Sequence, residues 1–195
     1  AFDIFTTEKN NILAKKYIES KNVYNVYIIP GNKYICETNI KCLDINYENN
    51  FDVLYDFISN NNISLVCVGS EKMLVKGIVD YLTTKNIMCF GPNKQNSLLE
   101  GSKLYAKNIL NQFQIPTAKY ESFDNIELAT DYINNHFNNH VIKHSGLAGG
   151  KGVFLPNTAL EAIEILNKCF GEPNNILIEE RLYGEEVSLL GFCNG

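Results

Sequence analysis

Short runs of β-branched and aromatic residues alternate along this chain with stretches whose apolar residues recur every three or four positions, the spacing of an amphipathic helix. Residues 2–5 (FDIF) predict a strand and residues 12–19 the helix that follows it. Residues 23–30 (VYNVYIIP) predict a second strand, stopped by the turn Pro30-Gly31-Asn32. Phe51, Leu54, Tyr55 and Ile58 share one face of a helix over 51–58. Residues 63–69 read as a continuous buried strand, 73–82 as one helix and 86–91 as a further strand, punctuated by Gly91-Pro92-Asn93. Strands and helices in alternation, with unbroken apolar runs in the strands, predict a parallel, doubly wound α/β sheet.

The pattern then changes. A helix over 102–112 is followed by a break at Ile115-Pro116, an extended piece over 117–123, and a helix capped by Asp124 that runs to about residue 137. A strand–loop–strand unit (VIKHSGLAGGKGVFL, 141–155), a helix over 159–169 and a strand over 175–180 come next. The remaining residues predict a tight turn and an outgoing strand. This half is α+β, with antiparallel pairing expected. The resulting division is residues 1–92 for a Rossmann-like domain and 93–195 for the second domain. The outgoing strand has no partner within the sequence, so the chain is expected to be part of a longer protein.

Composition narrows the class. Apolar residues make up 45% and charged residues 20% of 195 positions, an ordinary globular balance with enough chain for a sizeable core. The net charge of −5 predicts neither a nucleic-acid nor an anionic-membrane partner. No apolar run approaches the ~18 residues of a membrane span, and no signal-peptide pattern opens the chain. The 6 cysteines never fall in a C-x-x-C pair, and several sit inside apolar runs, as in VCVGS and IMCFG. Buried free thiols in a reducing, cytoplasmic setting are the expectation, rather than a disulfide framework or a zinc site. His136 and His140 flank an asparagine-rich turn and are expected to be solvated.

The candidate chemistry lies between residues 141 and 186. Lys143 ends one strand, Gly146, Gly149, Gly150 and Gly152 punctuate the loop after it, and Lys151 sits inside that loop. Glycine lets backbone N–H groups approach an anion closely, and two lysines add charge where polyphosphate oxygens would lie. The P-loop spacing is not met, and a strand follows where a P-loop has a helix. The loop alone fits a flexible turn as well as a phosphate site. Ile176 to Glu180 is an apolar strand ending in two carboxylates, followed by Leu182, Gly184, Glu185 and Glu186. Such carboxylates accept from an exocyclic amine or from ribose hydroxyls, although a solvated acidic strand end reads the same.

Taken together, these residues resemble the ATP-grasp superfamily and, within it, the glycinamide ribonucleotide synthetase (phosphoribosylamine–glycine ligase) family. The resemblance rests on PGN at 30–32, VGSEKMLVKGIVD at 68–80, FGPNK at 90–94, LEGSK at 99–103, IPTA at 115–118, IKHSGLAGGKGV at 142–153 and IEERLYGEEVS at 178–188. It implies an ATP-dependent C–N ligation in purine biosynthesis: the carboxylate of glycine is phosphorylated, and the amine of phosphoribosylamine attacks the acyl phosphate. It also implies Lys103 and Lys143 on the phosphates, Gly146 to Gly152 as the loop over them, Glu179 and Leu182 at the adenine edge and Glu186 on the ribose. Glu71 and Lys76 fall on the amine-substrate side. ATP and Mg2+ are the implied cofactors, with the metal ligands expected beyond residue 195 and no catalytic residue assigned within this chain. Small-molecule partners and fusion to further purine-pathway domains follow from the same resemblance.

Two stretches depart from the family pattern. The first loop, Phe5-Thr6-Thr7-Glu8-Lys9-Asn10-Asn11, has no glycine, and Glu8 repels rather than cradles a phosphate. His144-Ser145 stands where the family has Ala-Asp. Normal ATP binding with poor use of phosphoribosylamine is therefore expected. A ligase with a changed amine substrate, or a nucleotide-binding regulatory domain, also fits these residues.

Overall fold

The computed structural model describes residues 2–6, 11–31, 34, 36–147, 151–169 and 176–191. They form two compact units, divided between Gly101 and Ser102.

The first unit runs β1 (Phe2–Thr6), α1 (Asn11–Ile18), β2 (Val23–Ile28), β3 (Ile40–Cys42), α2 (Phe51–Asn60), β4 (Ile63–Cys67), α3 (Glu71–Lys76), α4 (Ile78–Thr84), β5 (Cys89–Phe90) and α5 (Lys94–Gly101). Its five strands are all parallel, in the order β3-β2-β1-β4-β5. Period-2 alternation sends Val26 and Ile28 to a cluster with Ala14 and Ile40, and Tyr27 and Ile29 to a larger cluster with Leu54, Ile58, Val66, Met73, Ile78 and Leu82. Burial of one such aliphatic side chain contributes about 1.5–3 kcal/mol relative to exposure. Gly31 is required by close approach: a Cβ there would lie 2.5 Å from Cys42 Cβ and 2.6 Å from the Ile28 carbonyl oxygen.

Two elements of this unit escaped the sequence pattern. β3 has only three residues, too few for alternation to register. α5 (KQNSLLEG) is mostly polar, and it forms because Asn93 Oδ1 accepts from Asn96 N at 2.8 Å while Asp80 Oδ2 accepts from Lys94 N at 2.7 Å. α5 packs on α3, so the first unit extends past residue 92. The single helix expected over 73–82 is two. Gly77 adopts φ +89°, and its N–H closes the last turn of α3 on the Leu74 carbonyl at 2.9 Å before α4 begins.

The second unit runs α6 (Lys103–Gln112), β6 (Tyr120–Phe123), α7 (Ile126–His136), β7 (His140–His144), β8 (Val153–Phe154), α8 (Ala159–Cys169) and β9 (Ile176–Glu180). Its sheet is antiparallel throughout, in the order β6-β9-β7-β8. Ile142, Ile176 and Ile178 pack on Ala129 and Ile133 of α7 and on Ala162 and Leu166 of α8. The cap of α7 is Asn125, not Asp124: its side chain accepts from Glu127 N and Leu128 N. His140, expected to be solvated, is 8% exposed and packed between the rings of Tyr132 and Phe137. Residues 181–191 form no strand, and Val187, Leu189 and Leu190 are exposed there, so no outgoing strand is present among the described residues.

Candidate functional site

β7 and β9 set the geometry of the second unit. Val141 pairs with Glu179 and Lys143 with Leu177, so Lys143 and Glu179 are diagonal neighbours on one face of the sheet. The alternate residues Ile142, Ile176 and Ile178 turn to the apolar core with α7 and α8. The opposite face of this strand pair carries Lys143 and Glu179 beside the buried Val141 and Leu177.

Glu179 is 3% exposed, which is costly for a carboxylate unless cations compensate it. Its Oε2 accepts from Lys143 Nζ at 2.9 Å and lies 3.2 Å from Lys107 Nζ. Its Oε1 is buried and has no hydrogen-bond partner. A buried acceptor of this kind fits a ligand N–H donor, such as an exocyclic amine. Removing one partner of such a buried ion pair costs about 3–5 kcal/mol.

The N-terminus of α6 is tied to the glycine loop. Ser102 caps the helix, Lys103 N donates to the Ser145 carbonyl at 2.9 Å, and Leu104 N donates to Ser145 Oγ at 3.2 Å. Lys103 Nζ reaches the Gly146 carbonyl at 3.2 Å. Across the loop, His144 N donates to the Gly152 carbonyl at 2.9 Å. Ser145, read from sequence only as a departure from the family pattern, is therefore a buried anchor between α6 and the loop. Lys103, Gly146, Lys143, Gly152 and Glu179 fall in one neighbourhood through these contacts. Gly149 and Gly150 lie outside the described residues. Lys151 is exposed, as are Leu182 and Glu186 in the irregular stretch after β9.

In the first unit, Glu71 and Lys76 occupy different places. Glu71 lines a cavity of about 210 Å³ with Leu74, Pro92, Ser97 and Glu100. Lys76 donates to the Glu48 carbonyl at 3.0 Å and to Glu48 Oε1 at 3.2 Å. Lys72 pairs with the same carboxylate, and Lys72 followed by Lys76 holds the Glu48 pKa below the ordinary carboxylate value. A cavity of about 350 Å³ opens beside this cluster, lined by Pro30, Asp44, Tyr47, Glu48, Ser70 and Lys72. Of the first loop, Thr7, Glu8, Lys9 and Asn10 lie outside the described residues.

Three residues at these sites were not singled out from sequence. Lys107 lies one turn after Lys103, and that i,i+4 spacing of two lysines is the signal that points to it. Glu48 and Lys72 carry no local pattern; only the folding of 44–48 beside α3 brings them together.

Two family models together match residues 6–195: the N domain of phosphoribosylglycinamide synthetase over residues 6–100, and its ATP-grasp (A) domain over 101–195. A phosphoribosylamine–glycine ligase from Lactococcus lactis is 40% identical over 187 residues, covering 95% of this chain and 45% of its own. One from Rhodopirellula baltica is 38% identical over 200 residues, covering 96% of this chain and 45% of its own. A bifunctional purine biosynthetic protein from Pichia angusta is 36% identical, covering 96% of this chain and 25% of its own. Among solved structures, a phosphoribosylamine–glycine ligase from Thermotoga maritima superposes with a TM-score of 0.71 at 25% identity, over 94% of this chain and 44% of that one. A D-alanine–D-alanine ligase from Bacillus anthracis, complexed with ATP, shares the fold with a TM-score of 0.63 at 18% identity, over 94% of this chain and 58% of that one. The chain spans less than half the length of the curated ligases it matches.

Proposed function

Because the chain belongs to the phosphoribosylglycinamide synthetase family, we propose that it forms the amine-binding unit and the first part of the nucleotide-binding unit of a phosphoribosylamine–glycine ligase. In that reaction a glycine carboxylate oxygen attacks the γ-phosphorus of ATP and ADP leaves. The amine of phosphoribosylamine then attacks the acyl carbon, phosphate departs, the amine nitrogen loses a proton, and glycinamide ribonucleotide forms. The chemistry needs charge neutralisation and positioning more than a protein nucleophile.

The observation that carries the nucleotide assignment is Glu179: a buried carboxylate with one oxygen held by ammonium groups and the other without a donor. Its free oxygen fits the amine of adenine, with Leu182 beside the same edge and Glu186 on the ribose. Lys103 and Lys143 serve the phosphates, with Gly146, Gly149, Gly150, Lys151 and Gly152 over them. These contacts orient the triphosphate. Among the described residues no group of three or more His, Cys, Asp or Glu side chains could hold a metal ion. Glu71 and Lys76 are assigned to the amine-substrate side, and the bifunctional Pichia angusta relative supports fusion to further purine-pathway domains as an arrangement for this protein too.

The test is calorimetric titration of the full-length protein with AMP-PNP, a non-hydrolysable ATP analogue, in Lys143→Ala and Lys151→Ala variants. Lys143 is anchored on a strand, whereas a loop lysine must first be ordered. Lys143→Ala should weaken binding roughly ten- to hundredfold, and Lys151→Ala less. Equal and negligible losses in both would remove the phosphate assignment.

A further inference from the structure

Lys107 differs from the other two lysines of the second unit's site. Its ammonium is held at 2.8 Å from Thr117 Oγ1, 3.0 Å from the Ala118 carbonyl oxygen and 3.2 Å from Glu179 Oε2, with the Tyr120 ring 5.3 Å away. A lysine has three N–H donors, and three acceptors occupy them. At 8% exposure, Lys107 has nothing left to offer a ligand. Lys143 is placed otherwise: its side chain is 28% exposed, and it shares with Lys107 the same carboxylate oxygen.

We infer that Lys107 is a positioning residue, the resident counter-ion of Glu179, which keeps that buried carboxylate neutralised when Lys143 leaves it for the phosphates of the nucleotide. Two cations on one oxygen are one more than neutrality requires, so one of them is free to move. The buried, triply bonded Lys107 stays, and the more exposed Lys143 transfers. Without Lys107, transfer of Lys143 strands a carboxylate in a site 3% exposed, and Lys143 is retained on Glu179 instead. The nucleotide would then meet one cation fewer. This inference rests on the nucleotide reading above, and it assigns a role to a residue that touches no ligand itself.

A purely structural lysine, tying α6 to residues 117–118, would behave differently in a double-mutant cycle. AMP-PNP affinity is measured by calorimetry in the full-length protein for wild type, Lys107→Met, Glu179→Gln, the Lys107→Met/Glu179→Gln double variant and Lys107→Arg. Lys107→Met should lose roughly ten- to hundredfold in the wild-type background but less than about threefold in the Glu179→Gln background, because a neutral amide needs no counter-ion. Lys107→Arg should recover most of the affinity. Equal losses in both backgrounds would overturn the inference while leaving the nucleotide reading intact. Failure of the wild type to bind AMP-PNP would instead remove the nucleotide reading. Urea unfolding without nucleotide gives a separate readout: the coupling of Lys107 to Glu179 should exceed that of Lys143 to Glu179 by at least about tenfold in the unfolding constant. The reverse order overturns the inference. Should Lys107→Met alone fail to fold, the double variant should fold, since the uncompensated charge is gone; a double variant that also fails counts against it.

Discussion

In the parallel sheet of the first unit, successive residues of β2 go to opposite apolar clusters, Val26 and Ile28 to one and Tyr27 and Ile29 to the other. In the antiparallel sheet of the second unit, Ile142, Ile176 and Ile178 enter an apolar cluster while Lys143 and Glu179 place charge on the opposite face. Among the described residues, the ion pairs of the first unit lie outside its strands, as those of Glu48 with Lys72 and Lys76 do. A sheet with one apolar face holds a carboxylate in a strand, provided that cations come with it. Glu179 is tolerated because Lys107 and Lys143 accompany it.

The strongest way to break this contrast is to give the first sheet a charge without a partner. Val66 is fully buried among apolar side chains, and Val66→Glu should cost several kcal/mol and unfold the first unit at room temperature. Circular dichroism and urea titration read the result; a folded variant with a wild-type midpoint would show that both sheets accept carboxylates alike. On the apolar face of the second sheet, Ile178→Ala should cost about 2–5 kcal/mol by urea unfolding. A loss below 1 kcal/mol would mean that this face is not the core.

Local devices have smaller effects. Asn125→Ala should destabilise the second unit by about 1 kcal/mol, since the side chain satisfies two helix N–H groups, whereas Asp124→Ala should change little. The opposite ranking would return the cap of α7 to Asp124. The smallest effect concerns His140, whose pKa is pushed below the ordinary 6.5 by burial and then by the nearby His136. The unfolded chain therefore binds more protons than the folded one near and below pH 6.5, and stability falls as the pH drops through that value. Between pH 8 and 5.5 the loss should be about 1 kcal/mol or less, and it should shrink in His140→Gln. Glu48 contributes in a separate window, since Lys72 and Lys76 hold it below the ordinary 4.5, and its share is lost only as the pH falls beneath that value. An unchanged slope in His140→Gln would assign the acid loss to other groups.

Much of this organisation follows from the order of residues alone. The α/β alternation of the first half, the strand–loop–strand around Lys143 and the acidic end of β9 are repeating or contiguous patterns, and such patterns reflect local backbone geometry. The burial expected of the cysteines holds in full only for Cys67 among those described: Cys42, Cys89 and Cys169 are partly buried and Cys36 is exposed. Tertiary structure decided the rest. The break at Gly77 needed the left-handed turn that closes α3, and α5 needed Asp80 to receive its first N–H. Ser145 became an anchor only when α6 met it, 41 residues away in sequence. Lys143 and Glu179 are 36 residues apart, and Lys107 reaches the same oxygen from a third element. A side chain's burial and partners depend on which distant segments fold against it, and no periodicity along the chain encodes that meeting.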